Sequence, residues 1–176
     1  INEQVLDPNQ TFILTSMLTG IFNSDLNGYT TVTGSTIASQ LSRQYAGKSG
    51  TTNTDSWMIG YTPDLVAGIW TGYDKGTEIS RSAERHYAKR IWADFMETSL
   101  KNSSFTAFKP PSDQVVKVSI DPETGKIAGK TCATSVSMYF MKDTQPEEKC
   151  THKHEKEESK KEKTKPWYKR LFPFWQ

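Results

Sequence analysis

The first apolar pattern along the chain has helical spacing. Asp7 can cap a helix, Pro8 suits its first position, and Gln10 stands where a capping-box side chain reaches back. Apolar residues then recur every three or four positions, which predicts a helix with one buried face that ends before the turn at Asn27–Gly28. The apolar residues of this stripe are Ile13, Leu14, Met17, Leu18, Ile21 and Phe22.

The middle of the chain changes from helical to strand-like spacing. Thr36–Tyr45 is expected to form a short helix, and a strand is expected to begin near Ala46. Two further segments, Trp57–Thr62 and Leu65–Tyr73, are rich in aromatic and β-branched residues, and Pro63–Asp64 separates them with turn chemistry. The pattern predicts an antiparallel set of three strands.

A second helix and a β-rich segment follow. One apolar stripe in Glu84–Leu100 predicts a helix that covers the sheet. After a break at Pro110–Pro111, a valine-rich run leads into hairpin chemistry at Asp121–Gly125, and a small β appendage is expected to end at Cys150. The stripe on the helix consists of Tyr87, Ala88, Ile91, Trp92, Phe95, Met96 and Leu100.

The end of the chain has a different composition. His152–Arg170 holds seven Lys and one Arg against four Glu, a net charge of +4, whereas the whole 176-residue chain has +2. The residues outside this stretch therefore sum to −2, which argues against a nucleic-acid-binding body. Because the residues from Thr151 are mostly charged and no periodic apolar pattern appears before Trp167, residues 151–176 are predicted to form a disordered tail.

No targeting signal is visible in the sequence. No apolar run approaches the roughly 18 residues that a membrane span requires. The first residues have neither the basic start nor the apolar stretch of a signal peptide, and there is no initiator Met. The sequence is therefore expected to be a piece of a longer protein.

Two cysteines occur, Cys132 and Cys150. A disulfide that closes a loop of this length would contribute about 3 kcal/mol and would imply an oxidising compartment. Two unpaired thiols are the alternative, and two cysteines alone do not decide between them.

The segment Lys48–Thr52 carries the candidate chemistry. A Lys-Thr/Ser-Gly triplet is one of three motifs that line the site of serine acyl-transfer enzymes acting on D-alanyl peptides and β-lactams. A lysine beside a hydroxyl can seat a carboxylate, a glycine lets substrate lie against the strand, and the next N–H can face an oxyanion. A solvated loop or an ordinary edge strand would account equally well for these five residues alone.

The flanking sequence makes the match specific. It closely resembles the third-motif region of class A penicillin-binding proteins, and the resemblance covers roughly residues 5–150. The segments that carry it are Val5–Pro8, Ala46–Asn53, Asp55–Asp74, Ile91–Met96 and Ile120–Gly125, followed by the two cysteines.

This resemblance implies an α/β (α+β) fold of the penicillin-binding, β-lactamase-like type, represented by its C-terminal half. Residues 1–108 would form an antiparallel sheet covered by helices, and residues 109–150 the small β-rich appendage with the cysteines. Residues 151–176 would be the tail.

The resemblance also assigns roles. Lys48 would supply positive charge, the hydroxyls of Ser49 and Thr51 would hold the terminal carboxylate of the donor, and the Thr51 N–H would be an oxyanion donor. Gly50 would keep the strand surface clear, and Thr52 is included among the substrate-binding residues. Lys48 and Thr51 are thus the expected catalytic residues in this segment.

The sequence departs from the family in one respect that matters. It contains no Ser-x-x-Lys and no Ser-x-Asn, and its single Ser-x-Asp, Ser119–Asp121, lies in the distal hairpin. The nucleophilic serine, a glycosyltransferase domain and a membrane anchor are therefore expected upstream of Ile1. The chain alone is expected to be inactive.

The expected function follows from the resemblance. The intact protein would be a serine D-Ala-D-Ala transpeptidase that crosslinks peptidoglycan at the extracytoplasmic face of the bacterial membrane and is acylated by β-lactams. Its partners would be stem peptides and β-lactams, with no nucleic acid and no cofactor. A D,D-carboxypeptidase or β-lactamase-type hydrolase and a non-catalytic wall-binding module are the alternatives.

Three weaker features complete the sequence. Trp57 and Trp70 could border a substrate groove or simply pack. Cys150–His154 lacks the second ligand pair of a structural zinc site, so no metal is expected. Lys160–Trp175 mixes basic and aromatic residues, which could contact lipid headgroups or an anionic wall polymer.

Overall fold

The computed structural model describes residues 3–130, 132 and 134–151, and the predicted tail from His152 onward lies outside this range. The chain divides into two compact units. Among the described residues, one unit comprises residues 3–13, 25–31 and those from 110 to 151, and the other residues 14–24 and 32–109. The predicted domain boundaries after residues 108 and 150 stay predictions.

The unit of residues 14–24 and 32–109 contains a three-stranded antiparallel sheet, as the sequence predicts. Its strands are β1 (Ala46–Thr51), β2 (Asp55–Tyr61) and β3 (Val66–Gly72), in the order β1-β2-β3. At the second turn, the Thr62 N–H donates to the Leu65 carbonyl at 2.9 Å. The mixed helix and sheet content confirms the predicted α+β class.

The core lies between one face of this sheet and the helix α3 (Tyr87–Leu100), which a short 3-10 helix at Glu84–His86 precedes. Trp92 is fully buried, and its indole N–H donates to the Ala67 carbonyl at 3.2 Å. A Cβ on Gly60 would overlap the Trp92 ring, so the glycine is required for this packing. The buried cluster consists of Ile37, Tyr45, Met58, Ala88, Trp92, Ala93, Met96 and Leu100.

The apolar stripe predicted on α3 divides into two faces. Ala88, Trp92 and Met96 are buried against the sheet, whereas Tyr87, Ile91 and Phe95 are between 45% and 48% exposed. The stripe is wider than a single contact surface, so only one edge of it meets the sheet. The predicted packing of this helix on the sheet is therefore confirmed, although only part of the stripe takes part in it.

The first helix, α1, spans Pro8–Thr19 and continues into a 3-10 helix at Gly20–Phe22. Asp7 caps it as predicted, because the Gln10 N–H donates to Asp7 Oδ1 at 2.9 Å. The predicted buried face is only partly correct, since Leu14 is 56% and Met17 46% exposed. The second helix, α2 (Ser35–Ala38), is one turn long and ends well before the predicted Tyr45.

The other unit contains the two-stranded antiparallel sheet of β4 (Val115–Ile120) and β5 (Val136–Met141). The predicted turn at Asp121–Gly125 is present: Thr124 Oγ1 donates to Asp121 Oδ2 at 2.6 Å, and Gly125 has a φ of 75°. Such a φ is sterically open to glycine. None of the described helices is both long enough and apolar enough to cross a membrane.

Candidate active-site strand

The strand β1 forms an edge of its sheet within the described part of the chain. At its end the Thr52 N–H donates to the Asp55 carbonyl at 3.0 Å, and the register pairs Gly50 with Trp57. Because bonded and non-bonded pairs alternate in an antiparallel ladder, Gly50 bonds to β2 while the N–H and C=O of Thr51 point away from it. The backbone N–H of Thr51 is therefore available to a ligand at this edge.

The Lys48 side chain reaches the same edge. Its Nζ donates to the Ser49 carbonyl at 2.5 Å. By the same alternation, the Ser49 carbonyl points away from β2. The ammonium thus lies along the edge that presents the Thr51 N–H, and the two groups bring positive charge and a hydrogen-bond donor to one place.

The side chains of Ser49 and Thr51 lie on the face of β1 that is turned toward α3. Ser49 is only 7% exposed and stands opposite Met58, whereas Thr51 is exposed and stands opposite Ser56. The two hydroxyls therefore differ in their access to solvent. Thr51 offers both its hydroxyl and its N–H to a ligand.

Gly50 is a glycine that the fold itself does not require. A Cβ added there would have the Trp57 Cβ as its nearest neighbour, at an ordinary contact distance of 3.7 Å. At Gly47, by contrast, a Cβ would come within 2.8 Å of the Ile59 carbonyl oxygen. Packing within the described chain explains Gly47 but not Gly50.

Thr52 is already engaged in the turn between β1 and β2. Its hydroxyl donates to Asp55 Oδ1 at 2.5 Å and accepts from the N–H groups of Thr54 and Asp55, both at 3.1 Å. Hydrogen bonds from the Thr52 hydroxyl and the Trp70 indole hold the Asp55 pKa below its ordinary value. Thr52 shapes the turn, and its contact with substrate stays a prediction.

Glu97 on α3 makes polar contacts with the segment that leads into β1. Glu97 accepts from the Ser42 N–H at 3.0 Å, from Ser42 Oγ at 2.6 Å and from the Tyr45 hydroxyl at 2.7 Å. Burial alone would raise the Glu97 pKa, but the hydrogen bonds from Ser42 and Tyr45 outweigh it and lower the pKa below its ordinary value. Burial and the bond to Glu97 raise the Tyr45 pKa.

The sequence pattern does not reveal these supporting residues. A glutamate next to the apolar Met96 on a helix is ordinarily solvated, and nothing local indicates its partners at Ser42 and Tyr45. The same holds for Arg85, whose guanidinium donates to the carbonyls of Thr52 at 3.4 Å and Ile79 at 3.1 Å. Glu97 thus fixes the start of β1 and Arg85 fixes its end, although both residues come later in the sequence than the strand.

The remaining candidates lie on β2 and β3 or in the other unit. Trp57 and Trp70 are 43% and 44% exposed, with ring centroids 6.5 Å apart. In the other unit, no disulfide joins Cys132 and Cys150, but their Sγ atoms and a carboxylate oxygen of Asp121 all lie within 4.8 Å of one another. The predicted disulfide therefore stays a prediction.

Comparison with known proteins places the chain in a family. A family model described as the C-terminal domain of penicillin-binding protein 1A matches residues 111–155. The chain is 57% identical to penicillin-binding protein 2D of Bacillus subtilis (strain 168) over 149 residues, 85% of this chain and 21% of that protein. It is 36% identical to penicillin-binding protein 1A of Aquifex aeolicus (strain VF5) over 121 residues, 65% of this chain and 16% of that protein.

The fold has a counterpart among solved structures. The crystal structure of penicillin-binding protein 1A from Haemophilus influenzae matches 83% of this chain and 22% of that one, with a TM-score of 0.68 and 24% identity. This match concerns the fold alone. The chain spans about a fifth or less of the length of the two relatives named above. The chain belongs to the class A penicillin-binding proteins, and it represents a C-terminal part of one.

Proposed function

We propose that this chain forms one wall of the active site of a serine D,D-transpeptidase that crosslinks peptidoglycan stem peptides and is acylated by β-lactams. The observation that carries the proposal is the free edge of β1, where the outward N–H of Thr51 and the Lys48 ammonium lie together. An extended D-alanyl peptide that lies along this edge can accept hydrogen bonds from the strand as an added strand would.

The chemistry proceeds by acyl transfer in two steps. A serine oxygen, supplied by the longer protein, attacks the carbonyl of the penultimate D-alanine, and the terminal D-alanine leaves with its amine protonated. The amine of a neighbouring stem peptide then attacks the ester and releases the serine. In each step the Thr51 N–H stabilises the negative charge on the carbonyl oxygen.

The side chains of β1 select the donor. Lys48 supplies a positive charge to the anionic donor peptide, and the hydroxyls of Ser49 and Thr51 hydrogen-bond to its terminal carboxylate. Gly50 leaves the exposed face without a side chain, which fits the absence of any packing reason for it. The chain lacks the nucleophile, so alone it forms no acyl adduct with a penicillin.

The location follows from the substrate. Stem peptides are crosslinked outside the cytoplasm, so the intact enzyme acts at the outer face of the bacterial membrane, held there by an anchor beyond this chain. The basic and aromatic tail at Lys160–Trp175 would add weak contact with lipid or with an anionic wall polymer.

Two rival functions make different predictions. A D,D-carboxypeptidase or a β-lactamase would release free acid rather than crosslinked product. A wall-binding module would bind peptidoglycan without forming any acyl-enzyme. Product analysis of the intact protein with a pentapeptide donor and an amine acceptor separates the three.

The proposal is tested by the rate of acylation of the intact protein. Lys48→Ala should lower the second-order rate with a fluorescent penicillin on the order of a hundred- to a thousandfold, because one preorganised charge is lost. Lys161→Ala in the tail is the matched control and should leave the rate unchanged. If folded Lys48→Ala reacts at the wild-type rate, β1 has no part in the chemistry.

A further inference from the structure

The face of the three-stranded sheet turned away from α3 carries two tryptophans to which the proposed chemistry gives no role. The register pairs Gly50 of β1 with Trp57 of β2, and Trp57 with Trp70 of β3, so the three residues form one row across the sheet. The neighbours of Trp57 along β2, Ser56 and Met58, are fully buried. Because successive side chains of a strand alternate between faces, the row points away from the core.

The two indole rings are held in place although both are nearly half exposed. The Trp70 Nε1–H donates to Asp55 Oδ2 at 3.3 Å. A Cβ on Gly72 would come within 2.6 Å of Trp70 Cζ2, so this ring lies directly against the backbone at Gly72. The Trp57 ring lies beside it, with the ring centroids 6.5 Å apart. An aromatic surface that is already ordered loses little freedom when a ligand binds to it.

Gly50 connects these rings to the free edge of β1. A Cβ added at Gly50 would lie 3.7 Å from the Trp57 Cβ, so the missing side chain leaves the space between the edge and Trp57 open. The same carboxylate that holds Trp70 accepts a hydrogen bond from the Thr52 hydroxyl, at the end of β1. The row and the edge of the strand are thus parts of one continuous surface.

The direction of the donor brings its acyl part to this row. A donor that pairs with β1 as an antiparallel added strand runs opposite to β1. With its terminal carboxylate toward Lys48 and Ser49 and its carbonyl oxygen at the Thr51 N–H, its acyl part extends toward the turn after Thr52. This is the end of the sheet at which Asp55 holds the Trp70 indole.

We propose that Trp57 and Trp70 are specificity residues of the β1 site: they form an aromatic platform for the apolar side chain on the acyl side of the donor's attacked carbonyl. This inference rests on the proposed function and gives neither ring a contact with the reacting atoms. The donor side chain crosses Gly50 and lies against the rings, where burial of apolar surface favours it. An aromatic contact of this kind changes the acylation rate by roughly tenfold.

The test compares two ligands that differ by one phenyl ring. The intact protein and its variants are acylated with benzylpenicillin and with the analogue in which acetyl replaces phenylacetyl. Trp57→Ala and Trp70→Ala should each lower the second-order rate with benzylpenicillin about tenfold and change the rate with the acetyl analogue less than twofold. Trp57→Phe keeps a ring in the row and should retain most of the wild-type rate. Phe95→Ala, which removes a ring of similar exposure from α3, is the matched control and should leave both rates unchanged.

Each outcome decides the inference. An equal loss with the two ligands shows that the rings only support the fold, or are covered by another part of the intact protein, and overturns it. Unchanged rates in folded alanine variants overturn it as well. If Trp57→Ala does not fold, the comparison of Trp57→Gln with Trp57→Phe carries the same decision. If the wild-type protein is acylated by neither ligand, the proposed function itself is wrong.

Discussion

At the scale of single residues, glycines separate what folding requires from what the site requires. Gly60 faces the Trp92 ring, with no room for a Cβ. Gly50 has room, since its nearest neighbour would be the Trp57 Cβ at 3.7 Å. The sequence alone presents both as glycines in strands and cannot tell these reasons apart.

The two glycines should therefore respond differently to alanine. Gly60→Ala should destabilise the protein by about 3 kcal/mol, because the methyl group overpacks the core against Trp92. Gly50→Ala should change stability by less than about 1 kcal/mol. It should slow acylation by a penicillin at least about tenfold, since the methyl group occupies the ligand side of β1. Thermal midpoints measure the stability of both variants, and the acylation rate measures the reactivity of Gly50→Ala. A stable Gly50→Ala protein that is acylated at the wild-type rate would contradict the assignment of Gly50 to the ligand side of β1.

At the scale of elements, strand patterns were easier to predict than helical faces. The three strands and α3 follow from alternation, aromatic content and the turn at Pro63–Asp64. The exposed sides of α1 and α3 do not, because an apolar stripe shows which face can be buried and not how much of it finds a partner. The contacts of Glu97 escape prediction for a similar reason: a charge on a helix has its partners in distant sequence.

The Glu97 contacts give the start of β1 a dependence on pH. The Glu97 pKa is lowered in the folded protein, so its stabilising effect is complete above the ordinary glutamate value of 4.5 and is lost as the pH falls through the folded value. Glu97→Gln should cost about 1–2 kcal/mol at pH 7 and progressively less as the pH falls below 4.5. Thermal midpoints of both proteins across this range test it, and a constant difference would rule out the linkage.

At the scale of the whole molecule, the sequence predicts the family and the fold class, but only part of the chemistry of the site. The Lys-Ser-Gly-Thr strand and its flanks identify the class A penicillin-binding proteins, but the sequence contains no Ser-x-x-Lys and no Ser-x-Asn. The edge geometry of β1 could not be derived from the motif, because it depends on the register with β2. The β-rich unit contributes the two cysteines, whose sulfur atoms the fold brings within 4.8 Å.

Cys132 and Cys150 should form a disulfide in protein taken from outside the cytoplasm. A disulfide-bearing oxidant accepts the two electrons, and the two thiols lose two protons. Closing this loop should add about 3 kcal/mol to stability. Mass spectrometry without reduction should show a mass lower by about two hydrogens than the reduced form, and two alkylated thiols in that material would refute the pairing.

The central claim is that the outward N–H of Thr51 stabilises the oxyanion, and two substitutions at that position test it. Thr51→Val removes the hydroxyl and keeps the N–H, whereas Thr51→Pro removes the N–H without breaking the ladder, because that N–H points away from β2. Since Thr51→Pro also lacks the hydroxyl, the comparison isolates the N–H. The measurement is the second-order acylation rate of the intact protein with a penicillin. Thr51→Pro should react on the order of a hundredfold more slowly than Thr51→Val. Equal rates in two folded variants would contradict the account.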